Sequence, residues 1–547
     1  MSGPEDAAGP GAAGEPVRPA RIPWYRLVYD QAGITAEVAD YPYRGSGTDD
    51  DPYVVHWIPD DARNPMNFSM AFRWWLTAVA AVTTLAVALV SSGYTGSIPG
   101  MMAALGSSGE VATLGLSLYV LGFALGPLLW GPLSEMYGRQ VVFVGTYAAF
   151  AAFNAGAAGA DSAATVIVLR FFAGAWGSSP LTNAGGIIAD MFPASQRGLA
   201  LSLFASAPML GPVLGPIVGG FAGMNAGWRW VLGVMAAVSA FMWILGTLLM
   251  PETYAPVLLR RRAAELSSRT GKVYQSALEQ DKGRVSLAES VHTSLCRPWM
   301  LLFCEPIVLL LTIYTAIIYG TLYMLFGAFP IVYQELRGWN PGVGGLAFVP
   351  LLLGIGAALG YNVWENGRYV KVDEAHGGFA PPEQRLPPVM VGSVAIPIAL
   401  FWFAWTDGPG VHWLVSVSSG VLFGFGLNLL FMSILNYLID AYTIYAASVL
   451  AANTVLRSLF GAAFPLFTSY MYDDLGVHWA ASVPAFLALA CVPAPFLFWR
   501  YGPTIRARCR YAAEADAYMR RVQAQREAQE KRVTGAPVGE DDGVESG

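Results

Sequence analysis

Charged residues are scarce in this chain of 547 residues. Lysine, arginine, aspartate and glutamate together make up 13% of it, about half the share usual in soluble proteins. Hydrophobic residues make up 55%, and the mean hydropathy is +0.46. This balance excludes an ordinary soluble domain and indicates a polytopic membrane protein. We therefore expect the lipid bilayer, and no nucleic acid, among its partners.

Cysteine and histidine are also rare. The four cysteines have no paired spacing, which indicates neither a disulfide framework nor a metal site. The five histidines lie outside or at the edges of the apolar runs. The single Gly-Lys pair, Gly271-Lys272, lacks the upstream glycine and the following Ser or Thr of a phosphate-binding loop. These absences exclude an ATP-driven pump and argue against a membrane enzyme, so we expect no cofactor and no metal.

Long apolar runs fill most of the chain, and a membrane-spanning helix needs about 20 such residues. Twelve spans are predicted, which gives an all-α protein with two six-helix bundles. The first six spans are predicted at residues 74–93, 112–132, 141–159, 164–188, 199–221 and 229–250. The second six are predicted at residues 302–332, 342–364, 387–405, 411–436, 443–469 and 479–499.

The polar segments divide the chain into five parts. Residues 1–72 are rich in Gly, Pro, Ala and Asp and are predicted to be a cytosolic, largely disordered tail. Residues 73–250 and 301–500 hold the two bundles, residues 251–300 form a charged central loop, and residues 501–547 form a C-terminal tail.

Basic residues predict the orientation. Arg139, Arg197, the central loop and the C-terminal tail all fall on one side, whereas the opposite loops hold little beyond Arg229 and Arg337. The positive-inside rule places the basic side, and both termini, in the cytosol. A cell-membrane location is expected, and a vacuolar membrane is the alternative.

A stripe of glycines lies in the fifth predicted span. Four-residue spacing places these glycines on one face of a helix, where neighbouring backbones can approach closely. Prolines between them free backbone carbonyls that neighbouring helices must satisfy. We expect this stripe to meet a span of the second half. The packing residues predicted here are Gly211, Pro212, Gly215, Pro216, Gly219 and Gly220, and Gly223 continues the spacing.

Three ordered motifs carry a family resemblance. Residues Gly131 to Arg139 resemble the loop signature of the major facilitator superfamily, and Arg170 resembles its fourth-span arginine. Residues Gly211 to Gly220 are similar to the fifth-span antiporter motif of its twelve-span drug:proton antiporters. Further segments resemble the fungal branch that includes multidrug, polyamine and secondary-metabolite exporters. They are Trp57, Asn64 to Asn67, Trp228 to Trp230, Pro251 to Pro256, Asn436 to Asp440 and Ala451 to Arg457.

The resemblance implies a secondary active transporter that works as a monomer. It would export a hydrophobic or amphipathic small molecule, such as a drug, toxin or secondary metabolite, by alternating access in exchange for protons. Two alternatives stay open: a proton-coupled importer or exporter of organic acids or polyamines, and a non-transporting membrane sensor of the same fold.

Ionisable groups inside the hydrocarbon are functional candidates because they are costly to insert. Two arginines meet this condition, whereas the middle third of every predicted span lacks Asp and Glu. Such a cavity suits neutral aromatic, amphipathic or anionic substrates better than polycations. The residues predicted for the substrate or proton cavity are Arg170, Arg457, Tyr314, Tyr319, Tyr323, Asn428 and Asn453.

A cytoplasmic gate is predicted where the loop signature meets the end of the fourth span. Glu135 and Arg139 are four residues apart, so they can pair with each other or with a facing helix end. A similar Glu365 and Arg368 follow the eighth span, as a duplicated architecture would have. The predicted gate residues are Glu135, Gly138, Arg139, Asp190 and Arg197.

Overall fold

A computed structural model describes residues 22–282 and 287–534 of the chain. The described N-terminal segment is folded. It contains helices α1 (Trp24–Tyr29) and α2 (Ala36–Ala39), strand β1 (Tyr53–Val55) and a 3-10 turn at Pro65–Asn67. The expectation of a largely disordered tail is therefore wrong from residue 22 onward, and residues 1–21 lie outside the described residues.

The first half of the membrane domain follows directly. Its six spans are separated by short turns, and a 3-10 turn and helix α4 (Ile98–Leu105) follow span one. Spans one to six are α3 (Met70–Gly93), α5 (Gly109–Tyr137), α6 (Arg139–Ala158), α7 with α8 (Ala163–Gly177 and Ser179–Met191), α9 (Ala194–Ala226) and α10 (Trp228–Leu249).

The central loop folds together with the N-terminal segment. It contains α11 (Ala255–Thr270), β2 (Tyr274–Ser276), α12 (Ala277–Lys282) and α13 (Leu287–Cys304). Strand β2 pairs in parallel with β1.

An ion pair and a small apolar core hold these two distant segments together. Arg262 on α11 forms a buried ion pair with Asp61, and Ile34 and Val55 pack in one cluster with Leu266. The N-terminal segment is too polar to form a core alone. Its apolar partner lies about 200 residues away in sequence, which local composition does not reveal.

The second half repeats the six-span plan, and helix α22 (Arg510–Thr534) follows it. A π-helical turn at Pro330–Glu335 extends span seven. Spans seven to twelve are α14 (Pro306–Phe329), α15 with α16 (Pro341–Leu346 and Val349–Ala375), α17 (Pro387–Thr406), α18 (Trp413–Ala441), α19 (Ala446–Leu475) and α20 with α21 (Val477–Cys491 and Pro493–Arg508).

The predicted twelve-helix architecture is confirmed. Within the described residues, 11 helical stretches are long and apolar enough to cross a membrane. Span four is the twelfth, because a break at Ser178 divides it into two pieces that are each too short to qualify. Span seven begins later than predicted, since the chain leaves the helical conformation at Glu305. We call the end of the bundle that carries α11 and Arg139 the basic end.

The glycine stripe packs against span one. A Cβ on Gly211 would lie 2.5 Å from the Ala88 Cβ, and a Cβ on Gly219 would lie 2.1 Å from the Gly93 carbonyl oxygen. Gly223 meets Gly96 in the same way. The expectation that the stripe meets the second half is therefore wrong for Gly211, Gly215, Gly219 and Gly223. Both helices belong to the first half, so the stripe holds that half together.

The neighbouring face of span five does reach the second half. A Cβ on Gly220 would lie 2.5 Å from the Pro341 carbonyl oxygen, and a Cβ on Gly345 would lie 2.6 Å from the Pro216 carbonyl oxygen. Span five therefore has two close contacts of different kinds: one within its own half and one across the boundary between halves.

The prolines of span five leave α9 unbroken. Pro216 has no N–H to donate to the carbonyl four residues earlier, which belongs to Pro212. That freed oxygen accepts a hydrogen bond from Ser92 Oγ of span one at 2.7 Å. The neighbouring helix thus satisfies the carbonyl, as the sequence pattern predicted.

Substituting Gly215 with leucine should destabilise the protein. A Cβ at this position would already lie 2.0 Å from Ser92 Oγ and 2.5 Å from Gly93 N. Overpacking a tight contact costs about 1–3 kcal/mol, so the melting temperature of the purified full-length protein should fall. Gly233→Leu in span six is the matched control, because no atom lies within 4 Å of its added Cβ. An unchanged melting temperature for Gly215→Leu would contradict this packing.

Candidate functional site

A cavity of about 480 Å³ lies between the two halves and opens at the basic end. Its wall is mostly apolar and comes from spans two, four, five, ten and eleven together with α13. Pro127, Leu181, Met209, Phe431 and Arg457 are the lining residues farthest along their spans from the basic end. This volume suits a small organic molecule.

The opposite end of the boundary between halves is closed. The Ser91 and Tyr323 hydroxyls join spans one and seven at 2.9 Å. Nearer the surface, the Tyr470 hydroxyl of span eleven donates to the Glu110 carboxylate of span two. Together with the Gly220 contact, these interactions leave the cavity accessible from the basic end.

Arg457 lies on the cavity wall. Its guanidinium carbon is 4.9 Å from the centre of the Tyr319 ring and 5.6 Å from that of Phe431. Its Nε is buried without a hydrogen-bond partner. Within the described residues Arg457 has no ion pair either. Two ring faces therefore support a cation whose hydrogen-bond donors remain unused.

Arg170 lies outside this cavity, and each of its three guanidinium nitrogens donates a hydrogen bond. Its guanidinium donates to three backbone carbonyls: Gly115 at 3.1 Å, Val90 at 3.0 Å and Ser91 at 2.8 Å. Tyr94 and Tyr119 cover it, with ring centres 4.6 and 4.2 Å from the guanidinium carbon. This geometry favours a clamp that joins spans one, two and four of the first half.

The predicted aromatic and amide residues are buried behind the cavity wall. Tyr319 supports Arg457, and its hydroxyl lies 3.4 Å from that of Tyr323. Asn428 Nδ2 donates to Ser206 Oγ of span five at 3.2 Å, which joins the two halves. Asn453 Nδ2 donates to Thr315 Oγ1 at 2.7 Å inside the second half. The Tyr314 hydroxyl is buried without a partner in the described part of the chain.

At the basic end, Arg139 pairs with Asp190 and not with Glu135. The Arg139 Nε lies 3.5 Å from Asp190 Oδ2, and its Nη1 donates to Ser134 Oγ at 2.6 Å. Glu135 is exposed at the cavity mouth. Of the two predicted partners of Arg139, the facing helix end is therefore the one present in this structure.

Glu252, at the end of span six, completes this network. Its carboxylate accepts the backbone N–H groups of Arg139 at 2.9 Å and of Gln140 at 3.1 Å, which caps span three. Gly138 is required at this turn, because its φ is +103° and an added Cβ would lie 2.1 Å from Glu252 Oε2. Arg197 Nη2 donates instead to the Ala189 carbonyl at 3.0 Å.

Tyr254 forms the outer layer of the same network. Its ring centre lies 4.7 Å from the Arg139 guanidinium carbon. Burial raises the pKa of Tyr254, so the ring meets the cation as a neutral phenol at physiological pH.

The second half has an equivalent ion pair, in a different place from the one predicted. Arg385, before span nine, pairs with Asp440 at the end of span ten at 2.9 Å, and the Tyr369 ring covers Arg385. Arg385 and Asp440 correspond in position to Arg139 and Asp190 of the first half, whereas Tyr369 belongs to span eight and Tyr254 follows span six. Glu365 and Arg368 do pair with each other at 2.7 Å, but they do not reproduce the Arg139 network.

Sequence reasoning missed three functional candidates. Glu252 belongs to the Pro251 to Pro256 segment, which carried the resemblance, so a signal for it was present. Ser91 and Phe431 are an ordinary serine and phenylalanine in apolar runs, and no local pattern distinguishes them. Within residues 22–282 and 287–534, no group of three or more His, Cys, Asp or Glu side chains is placed to hold a metal ion.

A family model and several known proteins match this chain over most of its length. The model of the Major Facilitator Superfamily matches residues 80–465. The chain is 64% identical over 504 residues to the Major facilitator superfamily multidrug transporter mdrA of Aspergillus fumigatus, covering 92% of this chain and 83% of that protein. It is 62% identical over 509 residues to the MFS-type efflux pump MFS2 of Trichophyton rubrum, covering 93% and 86%. Efflux pump FUB11 of Gibberella moniliformis is 52% identical over 489 residues, covering 89% and 82%.

Solved structures share the fold. The proton:xylose symporter XylE bound to 6-bromo-6-deoxy-D-glucose aligns with a TM-score of 0.56 at 15% identity, over 79% of this chain and 96% of that one. A partially occluded inward open conformation of XylE from E. coli aligns with the same TM-score and identity, over 79% and 98%. At this identity the likeness concerns the fold alone.

The two intramembrane arginines should respond differently to substitution. Arg170→Ala removes three buried hydrogen bonds from a charged donor, and each such bond is worth about 1.5–3 kcal/mol. We expect the melting temperature of Arg170→Ala to fall well below that of Arg457→Ala, which loses no protein hydrogen bond. Thermal unfolding of the full-length variants in the same detergent measures this. If Arg170→Ala proved as stable as the unsubstituted protein, the clamp would be refuted.

Proposed function

The chain belongs to the major facilitator superfamily, and on that premise we propose that it is a secondary active transporter that exports hydrophobic or amphipathic small molecules by alternating access. The observation that carries the proposal is the mostly apolar cavity between the halves, open at one end and closed at the other. The names of the multidrug transporter and the efflux pumps among the relatives support drugs or secondary metabolites as cargo.

The cavity opens on the side from which an exporter takes up its cargo. The basic end faces the cytosol by the positive-inside rule, which places both termini and the folded loop module there. In this arrangement the cavity accepts cargo from the cytosol. We place the protein in the cell membrane as a functional monomer, and the vacuolar membrane is the alternative location.

Alternating access requires that each half is rigid and that the contacts between the two halves can break. Some contacts join residues of the same half. In the first half these are the Arg170 clamp, the glycine stripe and the Arg139–Asp190 ion pair, and in the second half the Arg385–Asp440 ion pair. The Ser91 to Tyr323 hydrogen bond and the Gly220 contact cross between halves at the closed end. Rocking of one half against the other would break the contacts between halves and keep those within each half.

Inward movement of protons supplies the driving force in this proposal.

Efflux from loaded cells tests the function directly. Cells that express the protein in a host without its own drug pumps should lose a preloaded hydrophobic dye faster than cells with the empty vector. A protonophore, added while cellular ATP is held constant, should remove the difference because the proton gradient drives the exchange. Faster accumulation in expressing cells would instead indicate an importer. Equal rates in both kinds of cell, for every dye and metabolite tried, would refute transport.

Closure at the end opposite the cavity should depend on Gly220. A leucine there would meet the Pro341 carbonyl, which lies 2.5 Å from the position of an added Cβ. We expect Gly220→Leu to slow dye efflux by about tenfold, a barrier change of roughly 1.4 kcal/mol, while the protein still reaches the membrane. Gly233→Leu again serves as the control, since nothing from a neighbouring helix lies within 4 Å of a Cβ added there. Normal efflux by Gly220→Leu would show that this contact is not part of the cycle.

A further inference from the structure

The hydrogen-bonding state of the two intramembrane arginines differs sharply. A guanidinium carries five N–H donors, and Arg170 uses all three of its nitrogens on backbone carbonyls. Arg457 makes no hydrogen bond within the described residues, and its Nε is buried. Burying an unpaired cation is costly. The two rings beside Arg457 offset part of that cost, at about 0.5–2 kcal/mol for each cation–π contact, but they leave every donor free.

Arg457 lies at the inner end of the cavity. It lies eleven residues into α19 from the basic end, among the lining residues deepest in the cavity. Phe431 lies on the same wall, while Tyr319 supports the guanidinium from the buried side. A molecule that enters from the basic end therefore reaches a planar cation at the inner end of an apolar chamber.

The charged side chains of the cavity wall are three arginines and one glutamate among the described lining residues. Arg139 and Arg197 line its mouth, and Glu135 is the carboxylate among the described lining residues. Asp190 offsets part of the charge of Arg139, and the described part of the wall has no carboxylate beside Arg457. The lining charges attract an anion toward the cavity and disfavour a polycation.

We propose that Arg457 recognises a single anionic group, a carboxylate or a comparable oxyanion, on an exported molecule whose apolar body lies against Phe431 and the neighbouring wall. The inference rests on the proposed function and narrows it to amphipathic organic anions. A guanidinium binds a carboxylate through two parallel N–H···O bonds, which would use two of the donors that the protein leaves free. Cargo is then recognised by one polar contact in an otherwise apolar site.

A matched pair of fluorescent compounds tests this proposal. 1-Pyrenebutyrate and 1-pyrenebutyramide have nearly the same size and differ in charge at pH 7. Fluorescence anisotropy with the full-length protein in lipid nanodiscs gives the Kd of each compound. We expect the acid to bind at least about tenfold more tightly than the amide, equivalent to roughly 1.4 kcal/mol. Equal affinities in the unsubstituted protein would overturn the proposal without any variant being needed.

Variants test whether the preference for the acid over the amide depends on Arg457. Arg457→Gln should lower the affinity for the acid to that for the amide, and Arg457→Lys should retain part of the preference because it keeps the charge. Arg229→Gln is the charge-matched control, since Arg229 pairs with Asp161 at the end of the bundle away from the cavity. An undiminished preference in Arg457→Gln would overturn the assignment. Melting temperatures of all three variants confirm that they are folded.

Failure of this inference is distinguishable from failure of the proposed function. Protonophore-sensitive efflux of neutral dyes, together with equal binding of the acid and the amide, would leave export standing and refute anion recognition. A preference for the acid that depends on Arg457, in cells that export nothing, would refute export and leave the anion site standing.

Discussion

Hydrocarbon offers no hydrogen bonds, and this constraint governs how the polar groups of the bundle are arranged. The Pro212 carbonyl, which has no helical donor, accepts a hydrogen bond from Ser92 Oγ of the neighbouring helix. The Tyr119 hydroxyl donates to the Val87 carbonyl, and the Tyr147 hydroxyl donates to the Thr83 carbonyl. Each bond ties span one to another span of its own half. Satisfying polar groups inside the membrane therefore also makes the first half a single unit.

The boundary between halves is built from different contacts. Ser91 takes part in both kinds: its carbonyl accepts from Arg170 within the first half, and its hydroxyl meets Tyr323 of the second half. A chain of neighbouring polar groups then continues through Tyr319 to Arg457 at the cavity. The closed end of the boundary is thus connected, through Tyr323 and Tyr319, to the cation that we assign to cargo.

The basic end shows the duplication of the fold most plainly. The ion pairs Arg139–Asp190 and Arg385–Asp440 occupy corresponding positions. In each pair an aromatic ring contacts the arginine. The first half carries an additional layer, in which the N-terminal segment pairs with the central loop through β1 and β2. Gln140 at the start of span three donates to the Val28 carbonyl of that layer at 2.9 Å. This layer is therefore positioned to move with the first half.

The sequence by itself determined the features that depend on local pattern. Twelve apolar runs predict twelve spans because a span must match the bilayer thickness wherever it lies in the chain. The spacing of the glycines predicted a close helix contact. Tertiary structure decided which helix makes that contact, since a stripe of glycines accepts any backbone of suitable shape. It also decided that residues 22–69 fold and that Arg139 pairs with Asp190, because the partners are distant in sequence. Arg170 and Arg457 look alike as single charges in apolar runs, and only the surrounding carbonyls and rings distinguish a satisfied clamp from a cation with free donors.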